Sequence, residues 1–165
     1  MKNHTAYICA GSNIGDKGLN CRNGIEALAK SGDAVLKAQS RYYKTEPVDY
    51  QDQDWFVNVM VKIETALDPW QLLRQLKTIE RAAGRGCDPI RFGPRVLDLD
   101  IIFYNNLVTD TPQLVIPHPR MHKRRFVLKP ICDIDPKVFH PVLKKNVQQL
   151  LDLLGKDGQM VVEYQ

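Results

Sequence analysis

An α+β fold, with a ferredoxin-like βαββαβ core and a C-terminal extension, is predicted for this chain from three observations. Through Tyr104 the segments run strand, helix, strand, strand, helix, strand. Several of the strand segments alternate apolar and polar residues, as strands with one covered face do. At 165 residues, 44% hydrophobic and 25% charged, the chain can also bury a sizeable core. Helices are expected on one face of the antiparallel sheet. The other face is left for a ligand, or for the residues after Tyr104 to cover in part.

The elements follow in order. His4 to Ala10 is rich in strand formers, and "GSNIGDKG" breaks it with glycines and a serine. Asn20 to Lys30 places Ile25, Leu28 and Ala29 at helical spacing, with Gly32 as a terminator. Ala34 to Lys44 and Phe56 to Glu64 read as strands. Between them, "TEPVDYQDQDW" is longer than a hairpin turn needs, and long ordered loops are often functional. In "DPWQLLRQLKTIERAAGRG", Asp68 suits the cap, Pro69 the first helical position and Gln71 a capping box. Its apolar stripe is Trp70, Leu73, Leu76, Ile79 and Ala83. Val96 to Tyr104 is the next strand, Asn146 to Leu154 a capped helix ended by Gly155, and Met160 to Tyr164 a short terminal strand. Without repeats, low-complexity tracts or a linker, residues 1–165 read as one domain.

Composition narrows the function classes. A formal charge of +4 and a pI near 8.9 favour an anionic partner only weakly. More telling is the local run of Arg120, Lys123, Arg124, Arg125 and Lys129, which contains no acid and could hold phosphates. Cys9, Cys21, Cys87 and Cys132 lack the close spacing of a zinc knuckle or a redox dithiol, so buried free thiols are expected. "MKNHTAYICAGSN" has no signal-peptide core, and no apolar run reaches the ~20 residues that span a bilayer. A cytoplasmic protein with no membrane partner is the expectation.

The chemistry concentrates in "RFGPRVLDLDIIFY". Alternation puts Leu97, Leu99, Ile101 and Phe103 on one side and Asp98 and Asp100 on the other. Two carboxylates about 7 Å apart at Cα repel unless a cation lies between them. Hard oxygens favour Mg²⁺. A bare D-x-D is also compatible with the solvated side of a half-exposed strand. Its neighbours argue for a site: Arg91 and Arg95 flank the acids, Phe92 offers an aromatic platform, and Gly93-Pro94 fixes the backbone. By the same alternation Phe56, Asn58, Met60 and Lys62 share a face, so Asn58 can read the edge of a flat heterocycle. His118 and His122 are four apart but have no evident third zinc ligand. "GSNIGDKG" lacks the Lys-Ser/Thr ending of a Walker A loop and reads as a structural turn.

These residues resemble a known family. "RFGPRVLDLDI" is similar to the signature of 6-hydroxymethyl-7,8-dihydropterin pyrophosphokinase, and "GSNIGD", "YYKTEPVDYQDQDWFVN", "IERAAGR" and "IPHPRMHKRRFVL" follow the family's order. The resemblance covers nearly all of Ala6 to Pro141. It implies that pyrophosphate moves from ATP to a pterin alcohol in folate synthesis. Asp98 and Asp100 would bind two Mg²⁺ ions. Arg85 and Arg95 would lie along the phosphates, with Lys77, Glu80, Arg91, His118 and Arg124 on the ATP side. Thr45, Val48 and Asn58 would hydrogen-bond the pterin, walled by Phe56, Phe92 and Phe126. Position 92 is Phe where the family often has Trp. The Thr45 to Asp54 and Arg85 to Arg91 loops are expected to act as lids that exclude water. Arg120, Lys123 and Arg125 read as a solvated helix face. The expected partners are therefore ATP and the pterin, without nucleic acid, acting on a monomer.

Two rival functions remain at this stage. A Mg-dependent nucleotidyltransferase would normally keep its Gly-Ser turn close in sequence to the acids, unlike Gly11-Ser12 and Asp98 here. A ferredoxin-like RNA-binding module would want a basic, aromatic sheet face, which Asp98 and Asp100 disfavour.

Overall fold

The computed structural model describes residues 3–84 and 92–165. In chain order it contains β1 (His4–Ser12), α1 (Lys17–Lys30), β2 (Ala34–Gln39), β3 (Tyr43–Thr45), β4 (Phe56–Thr65), α2 (Pro69–Ala82) and β5 (Asp98–Tyr104). Two short hairpins follow, β6 (Thr109–Asp110) with β7 (Val115–Ile116) and β8 (Phe139–His140) with β9 (Lys145–Asn146). Helices α3 (Arg125–Ile134) and α4 (Val147–Leu153) and a last strand, β10 (Val161–Glu163), complete the chain.

Among the described residues six strands form one antiparallel sheet, five of them in the order β10-β3-β4-β1-β5. β2 pairs with β4 beyond β3, so the predicted single strand from Ala34 to Lys44 is split in two along one edge. Ser40 explains the break: its hydroxyl, rather than a backbone carbonyl, accepts from the Met60 amide (2.9 Å).

Helix ends follow local chemistry. α1 starts earlier than predicted because Asp16 caps it, accepting from the Leu19 amide at 3.1 Å. α2 carries the expected capping box, with Gln71 donating its amide to Asp68 while its side chain accepts from the Asp68 amide. The α2 stripe is rotated from the predicted one. Leu72, Leu76, Ile79 and Glu80 are buried, whereas Trp70 and Ala83 are exposed. Helix α3 was hidden in the sequence by its basic start and by Pro130, which removes one helical hydrogen bond.

Both faces of the sheet carry helices, which corrects the expectation of cover on one face. Under α1 and α2, Ala6, Ile8, Val59, Val61, Leu97, Leu99 and Ile101 pack with Ile25, Leu28, Leu72 and Leu76. On the opposite face Tyr7, Cys9, Met60, Ile102 and Phe103 meet Val127, Leu128 and Ile131 of α3 and Val147 and Leu150 of α4. Phe103 thus lies opposite its predicted side. The cause is a β-bulge: Ile8 pairs with Ile101 and Tyr7 with Phe103, leaving Ile102 as an extra residue that inverts the alternation beyond it. No helix among the described residues is long and apolar enough to cross a membrane.

Candidate active site

The second face is not covered to its end. Beside the start of α3, a cleft of about 250 Å³ opens over β1, β4 and β5. Its floor is a row fixed by register, since Gly11 on the central strand pairs with Asn58 on one side and Asp98 on the other. One step along, Cys9 pairs with Met60 and Asp100. A Cβ at position 11 would lie 2.6 Å from Asn58 Oδ1, so only glycine lets that amide reach across the strand. Asn58 donates through Nδ2 to Thr45 Oγ1 (2.6 Å), and both residues are buried. That bond fixes the amide and leaves its oxygen over Gly11.

Asp98 and Asp100 stand at the other end of the row. Burial first, and then the charge of Asp98, push Asp100 up to about 8, while Lys77 and Arg124 oppose the shift. The strand between them is held from behind. Glu80 is buried, and its Oε1 accepts from the Leu99 amide at 2.8 Å while Oε2 faces Lys77 Nζ at 3.4 Å. Lys77 lines the cleft and Glu80 does not. Burial, followed by the two aspartates, raises the Cys9 thiol well above its ordinary range. Burial, with Arg124 and Arg120, lowers His118 to about 4. A neutral imidazole and a protonated thiol leave the two carboxyl groups as the hard acidic donors of the described floor. Negative charge that strains against its own ionisation suits a hard divalent cation, so the donor set fits Mg²⁺.

Two loops form the walls. Thr45, Glu46, Pro47, Val48, Asp49 and Gln53 line one, and Phe92, Gly93 and Arg95 the other. Asn13, in the turn after β1, ties them together. Its Oδ1 accepts from the Arg95 amide (2.7 Å), and its Nδ2 donates to Gln53 Oε1 (2.8 Å) and Asp54 O (3.1 Å). Gln53 then donates to Phe92 O (2.8 Å). Phe92 adopts φ 58°, a left-handed conformation that costs a non-glycine residue energy and is held here by these bonds.

The third wall is basic. His118 is anchored to the bulge, its amide donating to Ile102 O (3.0 Å). Its Nδ1 accepts from the Arg120 amide (3.3 Å), which puts the ring proton on Nε2. Arg120 lies 4.4 Å over the Phe92 ring, and Arg124 lies 5.4 Å from Phe126. Asp49 reaches both guanidiniums, at 3.3 and 3.4 Å.

The structure therefore brings together Thr45, Val48, Phe56, Asn58, Lys77, Phe92, Arg95, Asp98, Asp100, His118, Arg124 and Phe126 around one cleft. Arg85 and Arg91, with Cys87 and Asp88 in the same loop, lie outside the described residues. Of the three basic residues read as a solvated face, only Lys123 is exposed. Arg120 lines the cleft, and Arg125 binds the backbone of the C-terminal loop. Asp49, Gln53 and Gln159 line it without having been singled out. The first two sat in the loop already suspected, whereas Gln159 comes from a segment with no motif.

The chain is similar to several known proteins. A family model described as 7,8-dihydro-6-hydroxymethylpterin-pyrophosphokinase (HPPK) matches residues 7–136. A Bacillus subtilis protein named 2-amino-4-hydroxy-6-hydroxymethyldihydropteridine pyrophosphokinase is 42% identical over 136 residues, covering 82% of this chain and 81% of that protein. One of the same name from Methylorubrum extorquens is 41% identical, covering 96% and 98%. The Dictyostelium discoideum folic acid synthesis protein FOL1 is 43% identical over 96% of this chain, which spans 24% of that longer protein. A crystal structure described as HPPK-DHPS in complex with substrates superposes with TM-score 0.73 at 15% identity, over 92% of this chain and 43% of that one. At that identity the likeness speaks for the fold.

Proposed function

The chain belongs to the 7,8-dihydro-6-hydroxymethylpterin-pyrophosphokinase family, and from that premise we propose that it transfers pyrophosphate from ATP to 6-hydroxymethyl-7,8-dihydropterin in folate synthesis. The observation that carries this reading is the row across β1. It sets a heterocycle-reading amide, Asn58, and the first of two acids, Asp98, on opposite sides of Gly11, with Asp100 one step along beside Cys9. Such a site would hold a flat ring at one end and a polyphosphate at the other.

Each group then has a task. Asn58 and Thr45 present buried hydrogen-bonding groups to the pterin edge, and Phe56, Phe92 and Phe126 wall its faces. Arg95 and Arg124, with Lys77, Arg120 and the Nε2 proton of His118, meet the triphosphate oxygens. Asp98 and Asp100 would hold two Mg²⁺ ions, which when bound neutralise the charge that builds on the transferred phosphates. The pterin hydroxymethyl oxygen forms a bond to the β-phosphorus as the bond to the α,β-bridging oxygen breaks. AMP leaves with that electron pair, and the alcohol proton passes to water. Because the transition state is loose, alignment and charge neutralisation supply most of the rate.

The β5-β1-β4 order, with β2 and β3 along the far edge of β4, supports a ferredoxin-like description of the core. The chain is read as a single domain, since both cores share one sheet, and the proposal takes it to act as a monomer in the cytoplasm. Arg85 and Arg91 retain the phosphate-side roles implied by their motif. The test is an assay with Mg-ATP and the pterin alcohol, which should give AMP and pterin diphosphate in equal amounts. ADP or free pyrophosphate as the product would overturn the reading.

A further inference from the structure

The C-terminal segment lies beyond the matched family region, which ends at residue 136, yet one of its side chains lines the cleft. Gln159 sits between two of the walls. Its Nε2 donates to Glu46 O (2.6 Å), in the loop that carries Thr45 and Val48, and its Oε1 accepts from the Phe126 amide at 3.4 Å. One carboxamide thus bridges the two segments that flank the heterocycle end.

The bridge is built rather than incidental. Glu46 also bonds Met160 twice, its amide donating to Met160 O (3.0 Å) and its Oε2 accepting from the Met160 amide (3.1 Å). Immediately afterwards β10 pairs with β3, with Val161 opposite Thr45. From the other side α3 grips the same segment. The Arg125 guanidinium donates to the carbonyls of Gly155, Lys156, Asp157 and Gln159, and Lys129, one turn on, donates to Val161 O. A guanidinium has five donors, and four carbonyls converging on one is a specific clasp.

We propose that Gln159 is a positioning residue for the pterin. Acting through Glu46 and Phe126, it fixes the separation between the Thr45–Val48 loop and the start of α3, and the Arg125 clasp fixes Gln159. This rests on the proposed reaction, whose aromatic slot it holds at a set width. A loosened slot weakens binding of the flat substrate while leaving the phosphate side, which lies beyond Asp98, unaltered.

Steady-state kinetics of Gln159→Ala, with direct titration of the pterin alcohol by its fluorescence, provides the test. The expected result is a rise of about tenfold in the pterin KM and Kd, the loss of one or two net hydrogen bonds. The KM for ATP should stay at its wild-type value, while the melting temperature falls by no more than the few degrees that losing these internal bonds costs. Gln159→Glu keeps the acceptor toward Phe126 but loses the donor toward Glu46 O, so it should behave like the alanine variant. Arg125→Ala should shift the pterin KM in the same direction. An unchanged pterin Kd in Gln159→Ala, or equal rises in both KM values, would overturn the inference. A wild-type protein that forms no pterin diphosphate would instead overturn the reaction on which it rests.

Discussion

Asp100 is the residue whose protonation reports most directly on the site. Held at about 8 in the folded protein, its carboxyl keeps a proton that the unfolded chain gives up above about 4. The stabilisation of the protonated form is therefore fully present below about 4 and is lost as pH rises through about 8. Melting curves in a chelating buffer should show the wild type losing stability relative to Asp100→Asn across that window, and added Mg²⁺ should flatten the difference. Parallel curves for the two proteins would refute the burial argument. Alanine at Asp98 or Asp100 should leave the fold intact and cut turnover at least about a hundredfold, because two to three kcal/mol of charge stabilisation disappears. Near-full activity in either variant would dismiss the acids as metal ligands.

At the scale of elements, the central strand matters through what it lacks. Gly11→Ala would set a methyl carbon against Asn58 Oδ1, so the amide must turn away from Thr45. Circular dichroism should show the sheet retained while the pterin KM rises about tenfold, the cost of one buried hydrogen bond. This row was partly legible in the sequence. Strict alternation put Asn58 and the aspartates on one face, and the capping residues marked the start of α2 and both ends of α4. Alternation failed at Ile102, because a bulge arises from pairing with Tyr7 and Ile8 and not from any local pattern in β5. The split of β2 from β3 escaped for a related reason, since it depends on Ser40 meeting the Met60 amide. Arg120, Asp49 and Gln159 reach the cleft only through tertiary packing, so spacing along the chain could not reveal them.

Across the whole molecule, the cleft sits where three separately anchored parts meet: the sheet floor, the loops tied by Asn13 and Gln53, and the basic wall that follows β7. Asp49 crosses from the loop after β3 to Arg120 and Arg124 on that wall. Any anion arriving at those guanidiniums meets a competitor already tethered there, and a tethered group acts at an effective concentration in the millimolar range. A monoanion is poorly matched against such a rival, whereas a triphosphate can displace it by bringing several charges at once. Asp49→Asn should therefore lower the KM for ATP several-fold and make inorganic phosphate a better inhibitor, as measured by initial rates at fixed pterin. On the proposed reaction, the ion pair between one loop and its neighbour would act as a selectivity threshold, setting how much charge a visitor must carry before the basic wall accepts it.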